Sequence, residues 1–104
     1  MKPFTTTVLM TALSVASLPA LANLELATKS ACTACHAVDK KVLGPSYQDV
    51  AKKYAGQKDA VAQISESIRK GGSGKWGAIP MPAQPALGDA ELKTLATWIS
   101  VGAK

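Results

Sequence analysis

The sequence contains very few of the residue types that build most metal sites and most hydrophobic cores. Its 104 residues include one histidine, two cysteines, three methionines and only five aromatic side chains. A chain of this length forms one ordinary domain at most. Because aromatic side chains supply much of the apolar area of a core, the core that these residues can build alone is small. The scarcity therefore predicts that something besides protein side chains completes the interior.

Charged residues are also sparse, at 18% of the chain, and they give a formal net charge of +5 at pH 7. A charge of this sign disfavours a basic partner without selecting any particular acidic one. It is also too modest to indicate nucleic-acid binding, so we expect no nucleic-acid partner.

Much of the hydrophobic content lies at the N terminus. Lys2 precedes an uncharged, mostly apolar run over residues 8–18, and Ala20 and Ala22 are small residues at the positions that a signal peptidase reads. The run is short for a bilayer span and is interrupted by polar residues. This pattern predicts a signal peptide at residues 1–22, cleaved before Asn23, and one domain at residues 23–104. We expect export to the bacterial periplasm without stable membrane insertion; a retained membrane anchor is the alternative.

Apolar spacing and turn residues predict four short helices and no strand, so the expected fold class is all-α. The expected helices run from Leu24 to about Cys35, from Pro45 or Ser46 to Gly56, from Asp59 to Gly71, and from Asp89 onward. Asp59 and Asp89 are the expected N-caps of the third and fourth helices. The predicted inward face of the first helix is formed by Leu24, Ala27, Thr28 and Ala31. The predicted inward faces of the other three helices are Tyr47, Val50, Ala51 and Tyr54, then Val61, Ile64 and Ile68, and finally Leu92, Leu95, Ala96 and Ile99. Three prolines in residues 71–88 prevent a regular helix there. A loop this long in so small a domain indicates that the loop binds a ligand or a partner.

The segment from Cys32 to His36 reads Cys-Thr-Ala-Cys-His. Two cysteines separated by two residues and followed by histidine are typical of covalent haem c attachment. The spacing suits the chemistry, because two thiols on one helical turn can bond to two vinyl groups of a single haem. The histidine that follows can then bind the iron from one face of the ring.

Three other uses of this motif compete with haem attachment. A structural zinc site needs four ligands, whereas the predicted mature chain offers three cysteine or histidine side chains. A thioredoxin-like redox pair expects a βαβ context, which the sequence pattern lacks. A plain disulfide suits an oxidising compartment but leaves His36 and the long loop unexplained. Haem attachment is therefore the preferred interpretation.

Met81 is the only thioether in the 82 residues that follow the predicted cleavage site. A buried methionine is more often core filler than a ligand, but Met81 lies between Pro80 and Pro82 in a loop with no helical face to fill. A second histidine is excluded as an iron ligand by count. A lysine amine, water or a vacant position remain as alternatives to Met81.

Beyond the haem motif, the chain resembles the small bacterial class I cytochromes c of the c-551/c-552 type from about Leu24 to Lys104. The resemblance rests on the Cys32 motif and on four further segments, residues 41–45, 49–56, 74–82 and 95–99. It implies a class I cytochrome c fold, in which four short helices wrap one covalently bound haem and a long loop carries a methionine. It further implies haem c attached through Cys32 and Cys35, with His36 and Met81 as the axial iron ligands.

The resemblance also implies several supporting roles. The Pro45 carbonyl is expected to accept the ring proton of His36, which fixes the orientation of the ring. Trp76 is expected to reach a haem propionate, unless it is only a half-buried aromatic residue of a small core. The Gln84 amide is expected to reach the methionine sulfur, unless Gln84 is simply an exposed loop residue. Ala31 replaces a glycine that is usual before the first cysteine, and we expect its small size to allow close packing of the first and last helices.

Iron with two protein ligands has no open position for a substrate, so the expected function is one-electron transfer between respiratory redox partners rather than enzymatic catalysis. We expect a monomer whose partners present acidic docking surfaces, with nitrite reductase or a terminal oxidase implied as acceptors. The resemblance places seven lysines around the haem pocket, where they either form the docking surface or simply belong to solvated helix faces: Lys40, Lys41, Lys52, Lys53, Lys58, Lys70 and Lys75. Two alternatives are an enzyme or sensor with a weak Met81 bond and a haem subunit of a larger complex.

Overall fold

The computed structural model describes Pro3 and residues 19–104, and this part of the chain forms helices and loops without a strand. The helices are α1 (Pro19–Lys29), α2 (Tyr47–Tyr54), α3 (Ala60–Lys70) and α4 (Asp89–Ser100), with a 3₁₀ turn over Cys32–Ala34. The predicted all-α fold, with a long loop between the third and fourth helices, is confirmed.

The predicted signal peptide at residues 1–22 lies mostly outside the described residues. Its last four residues form the start of α1, which continues through the predicted cleavage position between Ala22 and Asn23. None of the described helices is long and apolar enough to cross a membrane. Cleavage of the signal peptide stays a prediction.

The expectation that the first helix reaches Cys35 is wrong. α1 ends at Lys29, and Ala31 adopts a left-handed backbone conformation with φ of 61°. This conformation interrupts the helix before the 3₁₀ turn of the motif begins. The predicted inward face is only partly correct, because Ala27 is buried whereas Thr28 and Ala31 are exposed.

Small residues do bring α1 against α4, but Ala31 is not among them. Ala27 of α1 and Ala96 of α4 are 1% and 0% exposed and belong to one core cluster. Ala31 lies beyond the end of α1 and faces solvent. The glycine that is usual at this position is therefore explained by backbone conformation rather than by helix packing.

Ala31→Gly should raise the free energy of unfolding by about 1 kcal/mol. The left-handed conformation costs an L-residue roughly 1–2 kcal/mol, and the greater freedom of glycine in the unfolded chain offsets part of that gain. Denaturant unfolding measures the difference. Ala62→Gly, at an exposed position inside α3, is the matched control and should lower stability by about 1 kcal/mol. A loss of stability in Ala31→Gly would show that residue 31 is not strained.

A serine side chain caps the start of α2, whereas the expected Asp59 side-chain cap of α3 does not form. The Ser46 hydroxyl accepts a hydrogen bond from the Asp49 N–H at 3.0 Å, which satisfies one free donor of the first helical turn. Asp59 stands at the corresponding position before α3, but its side chain does not cap the helix. Its carboxylate accepts a hydrogen bond from the Gln63 amide at 2.8 Å instead.

The prediction that Asp89 caps the last helix is wrong. Gly88 occupies the N-cap position, and Asp89 is the first residue of α4. The Asp89 carboxylate lies 2.9 Å from the guanidinium of Arg69, near the end of α3. A contact between distant parts of the chain thus replaces the expected local cap.

The core forms where α2 and α3 pack on α4. The expected inward faces of these helices are largely confirmed, with Val50 and Val61 partly buried against the core. The buried residues of the three helices are Tyr47, Tyr54, Ile64, Ile68, Leu92, Leu95, Ala96, Trp98 and Ile99. Several of these side chains also line a large cavity.

Candidate functional site

A cavity of about 340 Å³ lies between the 3₁₀ turn, helices α2 to α4 and the long loop. Core side chains form its floor, and residues 71–82 of the loop form much of its wall. Its volume lies within the range of small-molecule and cofactor sites, roughly 300–1,000 Å³. No aspartate or glutamate of the described chain lines it. Such a cavity suits a large and mostly apolar group.

The residues of the cysteine motif line this cavity together. Cys32, Cys35 and His36 are all half-buried in its wall. The N–H groups of Cys35 and His36 donate to the Cys32 carbonyl at 3.2 and 3.0 Å, so the 3₁₀ turn holds the three residues close in space. The turn expected from the spacing of the motif is confirmed.

The ring of His36 is held in a defined orientation. Its Nδ1–H donates to the Pro45 carbonyl oxygen at 2.7 Å, as the resemblance implied. Because a carbonyl oxygen only accepts, Nδ1 carries the proton and Nε2 is left as the free nitrogen for a metal. Tyr47 stacks on the ring, with centroids 5.6 Å apart. A Cβ at Gly44 would lie 2.5 Å from His36 Cε1, so glycine is needed beneath the ring.

Met81 reaches the same cavity from the long loop. Its side chain is partly buried against the core. Its backbone pairs with Gly72 in both directions, through N–H to carbonyl bonds of 2.8 and 3.0 Å. Gly71 makes this close approach possible, because its φ is 65° and a Cβ there would collide with the Met81 carbonyl. The backbone at Met81 is therefore fixed by a local pairing as well as by the prolines beside it.

The thiol environment bears on the competing uses of the motif. Burial raises the pKa of the Cys32 thiol, the charge of Cys35 raises it further, and a backbone hydrogen bond partly opposes both effects. Redox-active cysteine pairs need the opposite shift, towards a more stable thiolate. Within residues 19–104 no group of three or more His, Cys, Asp or Glu side chains is placed to hold a metal ion. The thioredoxin-like and zinc alternatives therefore gain no support from the structure.

One edge of the cavity is polar. Lys75 Nζ donates to Ser67 Oγ at 3.2 Å, and both residues line the cavity. The neighbouring Trp76 is exposed, and the ammonium of Lys53 lies 4.7 Å from its ring centroid. The sequence predicts a place on a docking surface for Lys53 and Lys75 and no role for Ser67. Their contacts join residues far apart in the chain, which no local pattern reveals.

The residues present fit a covalently attached haem. The apolar cavity suits a porphyrin, the two thiols lie in its wall, and the polar edge offers hydrogen-bond donors for carboxylates. The buried Tyr47 hydroxyl in the wall has no hydrogen-bond partner in the described chain, and burial raises the pKa of Tyr47 well above its usual value. An unpartnered buried hydroxyl indicates that the protein part alone does not complete this site.

Residues 24–101 match the family model described as Cytochrome c. The chain is 56% identical to cytochrome c-552 of Hydrogenobacter thermophilus over 78 residues, which cover 75% of this chain and 79% of the relative. It is 55% identical to cytochrome c-551 of Pseudomonas denitrificans, covering 72% of this chain and 90% of that one.

The fold is similar to that of solved cytochromes. The crystal structure of wild-type Nitrosomonas europaea cytochrome c552 superimposes with a TM-score of 0.73 at 46% sequence identity. The match covers 76% of this chain and 98% of that structure. Fold, site and sequence agree, and the chain belongs to the cytochrome c family of electron-transfer proteins, which carry one covalently bound haem c.

Proposed function

We propose that this protein is a periplasmic electron carrier in which haem c is attached through Cys32 and Cys35 and the iron is bound by His36 and Met81. The observation that carries the proposal is that His36 and Met81 line one apolar cavity from two different segments of the chain, with both thiols beside them. When bound, the haem supplies reversible one-electron oxidation and reduction at its iron.

The protein side chains would set the properties of that iron. The bond from His36 to the Pro45 carbonyl fixes the ring tautomer and orientation and leaves Nε2 free to bind the iron. A methionine ligand favours the ferrous state and so raises the reduction potential, and an apolar wall acts in the same direction. Because the folded chain would supply both ligands in either oxidation state, little rearrangement of the protein would accompany electron transfer.

The polar edge of the cavity is the proposed place for the haem propionates. The Trp76 indole N–H would donate to one carboxylate, as the resemblance implies. The Lys75 ammonium, now bonded to Ser67, supplies a positive charge at the same edge. A charge-assisted hydrogen bond of this kind is stronger than a neutral one.

The periplasmic location rests on the N-terminal pattern. We propose that residues 1–22 are removed as a signal peptide and that the cytochrome domain spans residues 23–104. The start of the family match at residue 24, directly after the proposed cleavage position, supports this boundary. N-terminal sequencing of the protein recovered from a periplasmic extract tests it, and a retained N terminus would favour a membrane anchor.

Absorption spectra of the purified oxidised and reduced protein test the iron ligands. We expect low-spin haem in both states, the weak band of methionine bound to ferric iron, and reversible one-electron cycling at a positive potential. The reduced protein should bind carbon monoxide poorly, because Met81 occupies the sixth position. Ready binding of carbon monoxide would favour the enzyme or sensor alternative instead.

We propose that the redox partners present acidic docking surfaces, with nitrite reductase or a terminal oxidase as the acceptor. Exposed apolar side chains of Val42, Leu43 and Ile79 lie near exposed lysines such as Lys41 and Lys75, and most of these residues line the cavity. The rate of electron exchange with an acidic partner should fall as ionic strength rises.

Stopped-flow measurements over a salt series test this expectation. Lys41→Gln should slow the reaction at low salt, whereas Lys93→Gln, at an exposed position of α4 away from the cavity wall, should not. A rate that is independent of salt would favour docking through the exposed apolar side chains at the cavity, such as Leu43 and Ile79. The monomeric state stays a prediction.

A further inference from the structure

A single guanidinium joins the end of α3, the last part of the long loop and the start of α4. Arg69 Nη1 donates to the Leu87 carbonyl at 2.6 Å and to the Gln84 carbonyl at 3.1 Å, with the Pro85 carbonyl at 3.4 Å from the same nitrogen. Its Nη2 lies 2.9 Å from the Asp89 carboxylate. These contacts involve residues 15 to 20 positions away in the chain.

The contacts of Arg69 with residues 84–89 form a junction, and this junction helps to hold the loop segment that carries Met81. Met81 pairs with Gly72 through its backbone, and the Gln84 N–H donates to the carbonyls of Ile68 and Arg69 at 3.1 and 3.3 Å. The Gln84 hydrogen bonds found in the structure thus run through its backbone. The loop backbone is therefore held at Met81 by its pairing with Gly72. Three residues later, it is held at Gln84 by the junction that the Arg69 side chain closes.

The hydrogen bonds to carbonyls are the important part of the junction. The Arg69 side chain is 29% exposed, whereas the Asp89 carboxylate is fully exposed. An ion pair with a solvated partner contributes little, but hydrogen bonds from a charged donor to partly buried carbonyls contribute more. A lysine ammonium cannot reproduce them, because it lacks the planar fork that directs several N–H donors at once.

We propose that Arg69 is a positioning residue that keeps Met81 on the haem iron. By holding residues 84–87 against α3, it lowers the population of the state in which Met81 has left the sixth position. This inference rests on the proposed ligation by His36 and Met81. An external ligand such as imidazole binds iron only when Met81 has left, so its apparent affinity reports the population of that state.

Imidazole titration of the ferric holoprotein tests the proposal, with the methionine-to-iron band as the signal. Arg69→Met and Arg69→Lys should bind imidazole about tenfold more tightly or more, because charged hydrogen bonds to the loop are lost. Lys70→Met is the matched control, since Lys70 is the next residue and pairs with Glu66 on its own helix at 2.8 Å. Lys70→Met and Asp89→Asn should stay within about twofold of the unmodified protein.

The titrations are made well below the unfolding temperature of each variant, so that a general loss of stability does not change the result. Imidazole affinities of both Arg69 variants within about twofold of the unmodified protein would overturn the proposal. Equal tightening in Lys70→Met would also overturn it, because charge at the helix end would then explain the effect. If Arg69→Met yields no holoprotein, Arg69→Lys decides. Absence of the methionine band in the unmodified protein would instead reject the ligation itself.

Discussion

The Cys32→Ala/Cys35→Ala chain, produced without haem, should be largely unfolded at room temperature. Without the haem, the apolar side chains that line the partly open cavity of about 340 Å³ lose their packing partner and face water. A small domain is stable by only about 5–15 kcal/mol, so we expect the loss of this apolar contact to leave too little stability for the native fold. Circular dichroism should show loss of most helix signal, and urea should produce no cooperative transition.

Thr33→Ala is the matched control for that experiment. Thr33 lies between the two cysteines and is exposed, so its replacement keeps both thiols and removes no buried contact. This variant should attach haem and unfold cooperatively like the unmodified protein. A haem-free double variant with native helix content and a cooperative transition would show that the protein side chains form a sufficient core by themselves.

Met81→Ala should lower the reduction potential by on the order of a few tenths of a volt, since axial ligands set haem potentials over about 0.8 V. The methionine-to-iron band should disappear, and the reduced protein should bind carbon monoxide. The backbone pairing with Gly72 does not use the Met81 side chain, so the loop should keep its course. Spectroelectrochemistry measures the potential and the spectrum together.

Ile79→Ala is the control for the change at Met81. Ile79 also lines the cavity, but its side chain is 63% exposed and has no atom that binds iron. Its replacement should leave the band intact and the potential nearly unchanged. A Met81→Ala protein that keeps the original potential would indicate another sixth ligand, such as a lysine amine.

The parts of the fold that depend on local sequence could be predicted. Helices α2, α3 and α4 follow apolar spacing, and Ser46 caps α2 as its residue type favours. The sequence predictions fail where a contact with a distant part of the chain, or a backbone conformation, overrides the local preference of a residue. Aspartate is a preferred N-cap residue, yet the carboxylate of Asp89 pairs with Arg69 instead of capping α4. Ala31 continues a helical pattern, yet its left-handed conformation ends the helix.

The candidate site could be predicted in the same partial way. Spacing singles out Cys32, Cys35 and His36, and the scarcity of other candidate ligands together with the family resemblance singles out Met81. The structure brings all four residues to one cavity, and their binding of haem and iron stays a proposal. The role of Arg69 could not be predicted, because it depends on carbonyls up to 18 positions away. An arginine near the end of a helix gives no sign of which loop it will bind.

The contact between Gly44 and His36 restricts how this protein can be redesigned. Any side chain at residue 44 would displace the imidazole, so a mutant library aimed at the reduction potential gains nothing from varying that position. Tyr47 stacks on the ring and is buried in the core, so a side chain no larger than tyrosine can change the surroundings of His36 without overpacking. Selection for new potentials should therefore keep residue 44 as glycine and vary residue 47 among phenylalanine, histidine and tyrosine.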